Sequence, residues 1–408
     1  MEDKELKSMR KVFNNLKDKI NPLANSPEIK ELQERVIEIR KNAINNNEKL
    51  IKIAQKSFKE NDIDCLFAKD EKEAQKIILD LISQEIKENN YDKNNIKIAK
   101  SKSNTLREIA IHELLESKNY QIIETDLGDR ILQLKEHDNN PTHPTGPASH
   151  LTVNDIAEIV NNAMGTNLPP EPRPIMETVR EDVLNQLSES NIGLSGANSI
   201  AAKDGSLVLI HNEGNISIVA SKKLHILLVG IDKLVETLEE SISIAKLETV
   251  YATGKPTTSY MNIISGPSKT ADIEKKLLKN MYGAEKVVVI LLDNGRSQAI
   301  KECLWCIGCG NCILSCPVYN IIGNEFGYSS YLGGRGVAMS KFLKGDKTSF
   351  DSGIYKCTLC GNCTKNCPVS TPTNKIIENM RSDLQKNNLY KNEHKKIKDN
   401  IKNKGSPY

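Results

Sequence analysis

The sequence runs to 408 residues, enough for two domains or for one large domain with a small appended one. Its 56 Lys and Arg against 53 Asp and Glu leave a formal net charge of +3, and aromatic residues make up 4%; so weak a basic balance with so few stacking side chains excludes nucleic acid as a partner class. No apolar run approaches the roughly 20 residues that cross a bilayer, and the opening MEDKELKSMRKVF lacks the apolar core of a secretory signal, so we expect no transmembrane segment and a reducing, cytoplasmic setting.

Apolar residues across 1–60 recur at helical spacing, as at Leu32, Val36 and Ile39 and again at Leu50, Ile53 and Ala54. Ser26 before Pro27 has the chemistry of a helix start. This N-terminal helical segment reads as a solvated face packed on the body of the protein. From residue 61 to 298 short apolar runs alternate with longer amphipathic stretches, which predicts an α/β domain with a largely parallel sheet. Strands are expected over 64–68 and 96–100, and helices over 71–88 and 106–118. Further strands are expected over 121–126 and 130–134, with Gly128 turning between them.

The polar, Pro-rich stretch HDNNPTHPTGPASHLT carries His137, His143 and His150 and reads as a loop. Its histidine intervals are not those of a zinc helix, so a substrate or partner contact is weighed ahead of metal, with surface histidine as the default. Helices over 152–164 and 175–188 follow. The small-residue run GLSGANSIAAKDG then leads into strands over 206–211, 216–220 and 225–231, with Asn212-Glu213-Gly214-Asn215 turning between the first two. Glu213, the acid of that turn, is either part of a structural turn or a ligand contact. A helix over 232–247 and strands over 260–265 and 287–292 complete the domain, and Asp293-Asn294-Gly295-Arg296 closes the last strand where α/β sheets place ligands. Neither a dinucleotide GxGxxG, a phosphate loop, an HExxH helix nor a GxSxG elbow is present. Gly333-Gly334-Arg335-Gly336 follows no strand, so the chain shows no nicotinamide site and no nucleophile triad.

The strongest signal comes last. From Cys306 the chain reads CIGCGNCILSCP and from Cys357 CTLCGNCTKNCP, a repeated CxxCxxCxxxCP pattern whose thiolates suit cubane iron-sulfur clusters. A disulfide framework needs an oxidising compartment, and zinc has no use for the third cysteine or the CP ending. Because the fourth cysteine of each motif ligates the other cluster in two-cluster ferredoxins, Cys306, Cys309, Cys312 and Cys367 are expected on one [4Fe-4S] cluster. Cys357, Cys360, Cys363 and Cys316 are expected on the other. Cys303 falls outside the pattern and reads as a buried or incidental thiol. The cluster region spans 299–380, and 381–408 forms a basic C-terminal tail.

Taken together, these features resemble the iron-sulfur subunit of the bacterial L-lactate utilisation complex, a family that joins a lactate-utilisation domain to a two-cluster ferredoxin-type domain. The resemblance rests on Lys100-Ser101-Lys102-Ser103, ETDLG from Glu124, His143 and His150, SLVLIHNEGN from Ser206, HILLVGIDKLV from His225, LLDNGR from Leu291, and both cysteine motifs. It implies an α/β domain similar to the sugar-isomerase and CoA-transferase type of sheet, followed by an α-helical ferredoxin-type module with two [4Fe-4S] clusters. It also implies electron transfer during oxidation of L-lactate to pyruvate, beside a cysteine-rich redox subunit and a second lactate-utilisation-domain protein, so that the chain is not a self-sufficient enzyme. An enzyme-class version has His143, His150, Glu213 or Arg296 contacting a substrate carboxylate. The alternative is an electron-transfer or cluster-bearing regulatory protein of another cytoplasmic redox complex, with a different 2-hydroxy acid or an unrelated substrate. Two departures stand out: Lys203 in Ala202-Lys203-Asp204-Gly205 occupies the place of the family's Glu, and the family commonly continues further past the second motif.

Overall fold

The computed structural model describes residues 1–135, 140–329 and 331–408; His137 lies outside them. Three helices open the chain, α1 (Asp3–Ala24), α2 (Pro27–Asn45) and α3 (Asn47–Glu60). Ser26 caps α2 by accepting from the Ile29 amide at 3.4 Å, which satisfies one of the orphan donors of the first turn. The segment is more than an attached face. Met9, Phe13, Val36 and Phe58 share one core with Leu209, Val229 and Leu291 of the α/β region and with Ile313, Tyr319 and Ile377 near the cysteine motifs. Arg40 pins this arrangement from inside: Nη2 donates to the Asp232 carbonyl at 2.7 Å and to the Leu304 carbonyl, and Nε donates to the Trp305 carbonyl at 3.1 Å.

The α/β region runs β1 (Ile63–Ala68), α4 (Glu71–Asn89), β2 (Lys97–Lys100), α5 (Asn104–Glu108), α6 (Ile111–Glu116), β3 (Gln121–Glu124), α7 (Leu127–Leu134), α8 (Val153–Met164), α9 (Pro172–Leu187) and β4 (Ile192–Ser195). It continues through β5 (Ser199–Ala201), β6 (Ser206–His211), α10 (Asn215–Ala220), β7 (Leu224–Gly230), β8 (Leu234–Val235), α11 (Leu238–Thr253), β9 (Tyr260–Ile264), β10 (Lys269–Thr270), β11 (Leu278–Lys279) and β12 (Lys286–Leu292). Six strands form the central sheet in the order β1-β12-β7-β4-β2-β3, every neighbour parallel. β7 and β12 are apolar along almost their whole length because helices cover both faces of such a sheet. A second sheet, β8-β5-β6-β9, stands beside it, with β6 antiparallel to both neighbours.

Several local expectations give way to tertiary context. The strand expected over 130–134 is part of α7, because Asp126 caps a helix by accepting from the Asp129 amide at 3.2 Å and Ile131 and Leu132 then face the core. The strand expected over 216–220 is α10, in which β-branched residues form a short helix after Gly214, at φ 85. The helix expected from 232 begins instead at Leu238, where Thr237 and Glu240 make a capping box. The helix expected over 106–118 breaks at Ala110, at φ 48. The small-residue run holds two strands, β4 and β5, that its composition does not announce.

Beyond residue 300 the chain is built of helices, α12 (Asn311–Leu314), α13 (Tyr319–Ile322), α14 (Gly333–Lys344), α15 (Asp346–Asp351), α16 (Asn362–Lys365), α17 (Thr373–Lys386) and α18 (Asn392–Lys404). An antiparallel pair stands among them, β13 (Gly327–Tyr328) and β14 (Tyr331–Leu332), whose second strand runs straight into Gly333, so that the Gly333–Gly336 run does follow a short strand. The glycines opening α14 serve packing, since a Cβ at Gly336 would lie 1.6 Å from the Tyr331 carbonyl oxygen. The end of the expected basic tail is helical, and α18 buries no residue. Among the described residues no helix is long and apolar enough to cross a membrane.

Candidate metal centres and the adjoining cleft

The two cysteine motifs fold alike and interlock. Gly310 and Gly361, at φ 78 and 77, each turn the chain into one short helix, α12 and α16. Asn311 Nδ2 donates to the Asn366 carbonyl at 2.7 Å, and the equivalent Asn362 Nδ2 donates to the Ser315 carbonyl at 3.2 Å. Each motif thereby holds the residue just before the other's last cysteine. Backbone amides point at sulfur in the same duplicated way: Cys306 Sγ accepts from Gly308 and Cys357 Sγ from Leu359, both at 3.4 Å, while Cys316 Sγ accepts from Tyr319 at 3.5 Å and Cys367 Sγ from Thr371 at 3.4 Å.

The sulfurs crowd one another across the two motifs, with Cys312 also feeling Cys363. Cys309 feels Cys306, Cys367 and Cys312, whereas Cys316 feels Cys357 and Cys360 and Cys363 feels Cys357 and Cys316. One hollow is lined by Cys316, Cys357, Cys360 and Cys363 together, and another by Cys306 and Cys312 with Gly308, Gly310 and Arg335. Burial pushes the Cys309 and Cys312 thiols well above their usual range and Cys363 up to about 11. Such thiols become thiolates when a metal replaces the proton. Among the described residues no three His, Cys, Asp or Glu side chains are arranged for a single metal ion. Arg335 supplies a further fit: it is buried at the hollow over Cys306 and Cys312, and its Nε and Nη1 have no hydrogen-bond partner, donors suited to the sulfurs of an anionic cluster. Each set could therefore hold one cubane. Cys303, fully buried beside them, has its thiol pushed up to about 11 by burial.

A cleft of about 290 Å³ opens at the carboxyl ends of β2 and β4. The chain leaves β2 toward β3 and leaves β4 toward β7, so the loops part there and leave the crevice expected at such a switch of direction. The two loops nearly touch at its floor, where a Cβ on Gly196 would meet Ser103 Oγ at 2.6 Å. Lys102 in the cleft pairs with Asp126 at 2.6 Å; burial opposes its charge, but Asp126 and Asp129 offset that, and its pKa is raised. Burial, and then the Asp126 charge, raises the pKa of Glu213, which accepts from the Leu127 amide at 3.1 Å. Burial raises Glu248 as well, against the pull of Lys233 and a 3.0 Å hydrogen bond from Asn198. Among the described residues Lys233 Nζ has neither a hydrogen bond nor an ion pair. A Cβ on Gly308 would lie 3.6 Å from Glu248 Oε1 and 3.8 Å from Lys233 Nζ, so this lysine and glutamate stand at the doorstep of the first cysteine loop. Asn104, Thr105, Pro144, Lys233 and Gly308 line both the cleft and the hollow over Cys306 and Cys312.

Of the four residues expected at a substrate carboxylate, Glu213 alone lines this cleft. Arg296 lines the hollow beside the first cysteines, but its donors are consumed internally. Nε bonds Asp232 at 2.6 Å, Nη1 bonds Glu108 and the Asp293 carbonyl at 2.9 and 3.1 Å, and Nη2 bonds Glu108 and the Tyr331 hydroxyl at 2.7 and 3.1 Å. It is a buried tie between the end of β12, α5 and the cysteine-bearing module. His150 is buried inside its own loop, with Nδ1 3.1 Å from Thr142 Oγ1. His143 is 2% exposed and faces Gly310 of the first cysteine loop instead of the cleft. Lys203 makes a surface ion pair with Glu236 at 2.7 Å, outside the cleft lining. Sequence reasoning attaches no role to Lys102 or Lys233, although both stand just past the ends of parallel strands; Glu248, in mid-helix, carries no such signal.

Two family models match along the chain. The LUD domain model matches residues 51–292 and the 4Fe-4S dicluster domain model matches residues 302–371. Lactate utilization protein B of Lysinibacillus sphaericus is 32% identical over 355 residues, covering 86% of this chain and 71% of that protein. Its namesake in Geobacillus kaustophilus is 34% identical over 286 residues, covering 69% of this chain and 58% of its own. An uncharacterized electron transport protein of Escherichia coli, YkgF, is 30% identical over 353 residues, covering 85% and 70%. The chain thus spans between 58 and 71% of the length of these relatives. A solved DUF162 family protein from Deinococcus radiodurans aligns over 53% of this chain and 98% of its own at 17% identity, with a TM-score of 0.21, too low to carry an argument. With the first of these matches covering more than half its length and the second following directly, the chain belongs to the LUD domain family, among those members that carry a 4Fe-4S dicluster domain behind the LUD domain.

Proposed function

We propose that this chain is the iron-sulfur electron-transfer subunit of a complex that oxidises L-lactate to pyruvate. Cys306, Cys309, Cys312 and Cys367 hold one [4Fe-4S] cluster, and Cys357, Cys360, Cys363 and Cys316 hold the second. It works in the cytoplasm with a cysteine-rich redox subunit and a second lactate-utilisation-domain protein. The names of its relatives support the substrate. The observation that carries the reading is the continuity between the cleft and the hollow over the first cysteines, which share five lining residues. Each cluster, when bound, accepts one electron at a time. Conversion of L-lactate to pyruvate releases two electrons and two protons, so two one-electron sites match one substrate. Lys233 Nζ, unpaired at the cluster end of the cleft, binds the carboxylate. Glu248, whose proton affinity burial raises beside Lys233, takes the hydroxyl proton, and the partner redox subunit takes the Cα hydrogen with its electron pair, releases that proton to solvent and passes the two electrons one at a time to the clusters. Gly308, without a side chain, leaves the approach between cleft and cysteines open.

The test is anaerobic purification with iron and sulfide assay, followed by addition of L-lactate with and without the partner subunits. About eight iron and eight sulfide per chain, reduced by L-lactate only when the partners are present, is the expected result. Reduction by dithionite but not by L-lactate with partners would reject the substrate. Zinc without sulfide would reject electron transfer altogether.

A further inference from the structure

We infer that His143 donates a hydrogen bond from Nε2–H to a sulfur of the cluster held by Cys306, Cys309, Cys312 and Cys367, so that the α/β domain sets that cluster's reduction potential. The inference rests on the cluster reading above and goes beyond it in assigning a tuning role to a residue outside both cysteine motifs.

The tautomer follows from local geometry. The Thr145 backbone amide, a donor that cannot be anything else, points at His143 Nδ1 at 3.2 Å, with Thr145 Oγ1 2.9 Å from the same nitrogen. Nδ1 is therefore the acceptor and the ring proton sits on Nε2. That proton has no protein partner: Nε2 is buried and lacks any hydrogen bond, in a residue only 2% exposed. A buried N–H left unpaired costs about 1–3 kcal/mol, so a ring held in this position calls for an acceptor beyond the protein atoms.

Nε2 lies against Gly310, which lines the hollow over Cys306 and Cys312. A Cβ placed on Gly310 would come within 2.8 Å of Nε2 and 3.0 Å of Pro144 Cδ. Gly310 sits between Cys309 and Cys312, and it is a glycine both because its φ is 78 and because this imidazole leaves no room for a side chain. The ring cannot swing away. Phe13 meets it edge-on at 5.6 Å, and Phe13 in turn stacks on Tyr319 at 6.2 Å, whose hydroxyl donates to the Thr142 carbonyl at 2.8 Å. Helix α1, the histidine loop and the first cysteine motif thus lock one N–H against a cluster-binding loop. A hydrogen bond to cluster sulfur stabilises the more negative, reduced state and raises the potential. The equivalent glycine of the second motif, Gly361, faces no histidine: a Cβ placed on it would meet Asn374 Nδ2 at 3.6 Å.

The experiment uses the full chain carrying isotope-labelled histidine nitrogen, purified anaerobically with iron and sulfide and reduced with dithionite, so that neither L-lactate nor partners enter. Pulsed EPR should detect a histidine nitrogen coupled to one of the two clusters, and His143→Leu should remove that coupling. Redox titration followed by EPR should show one midpoint lowered in His143→Leu and the other unmoved, with recovery in His143→Gln, whose side-chain amide still donates. Clusters without any histidine coupling in the unsubstituted protein would overturn the inference, even if His143→Leu fails to load iron. Unchanged midpoints in a loaded His143→Leu protein would overturn it equally. A chain without iron and sulfide would instead bring down the cluster reading beneath it.

Discussion

The two cysteine sets share one spacing and one local fold, yet their surroundings are opposite. Cys309 of the first set is 7% exposed, and its loop abuts residues of the α/β domain: His143 at Gly310, and Lys233 and Glu248 at Gly308. The second set includes the exposed Cys360, and its hollow is lined only by the C-terminal module. Duplication of a motif therefore yields two equivalent holders, and the domain packed against one of them makes the difference. The first set adjoins the cleft, and the second opens toward the surface.

The sharpest way to break this contrast is to remove one holder at a time. Cys309→Ser and Cys360→Ser should each cut iron from about eight to about four per chain. Only Cys309→Ser should stop L-lactate from reducing what remains, as followed by freeze-quench EPR with partners present. A surviving lactate-driven signal in Cys309→Ser would reverse the inner and outer order. Next in size is the buried tie between sheet and module. Arg296→Leu strands Glu108 and Asp232 without their cation, which typically costs about 3–5 kcal/mol. A clear drop in the thermal unfolding temperature of the loaded protein should follow, and an unchanged temperature would mean that the network bears no such load.

Smaller effects belong to the cleft. Lys233→Ala loses one charged contact of about 1.5–3 kcal/mol, so the L-lactate concentration for half-maximal reduction should rise about 10–100-fold while dithionite reduction stays the same. Equal lactate response in the variant would remove Lys233 from the site. The mildest change is in pH dependence. Burial raises the Glu248 pKa, which means that the basic carboxylate is lost at a higher pH than in an exposed glutamate. Lactate-driven reduction should therefore begin to fall early on acidification, and Glu248→Gln should abolish that limb; an identical profile in the variant would assign the proton elsewhere.

Much of this was legible residue by residue. The paired CxxCxxCxxxCP runs stated their chemistry because ligand spacing along a short loop is a local property. β2, β3, β7 and β12 were readable because a parallel sheet covered on both faces leaves short apolar runs. Where the chain carried conflicting local signals, reading failed. Ile216–Ala220 looks like a strand by β-branching and is a helix, because Gly214 turns the backbone and the neighbouring β7 and β4 leave that segment no edge to pair with. Arg130–Leu134 likewise looked extended until Asp126 capped it.

The histidines and Arg296 mark the same boundary at the site. Their residue types suggested ligand contacts, but what an imidazole or guanidinium does depends on which groups consume its donors. Glu108 and Asp232, 188 and 64 residues from Arg296 in the chain, cannot be foreseen as its partners. Sequence alone determined the cofactor chemistry and the α/β class of the fold, both carried by short-range spacing and periodicity. Tertiary structure alone decided which cysteine set faces the cleft, which lysine stands unpaired there, and that His143 turns toward the cluster loop, because each of these depends on long-range packing that brings distant backbone amides, carboxylates and aromatic rings into contact.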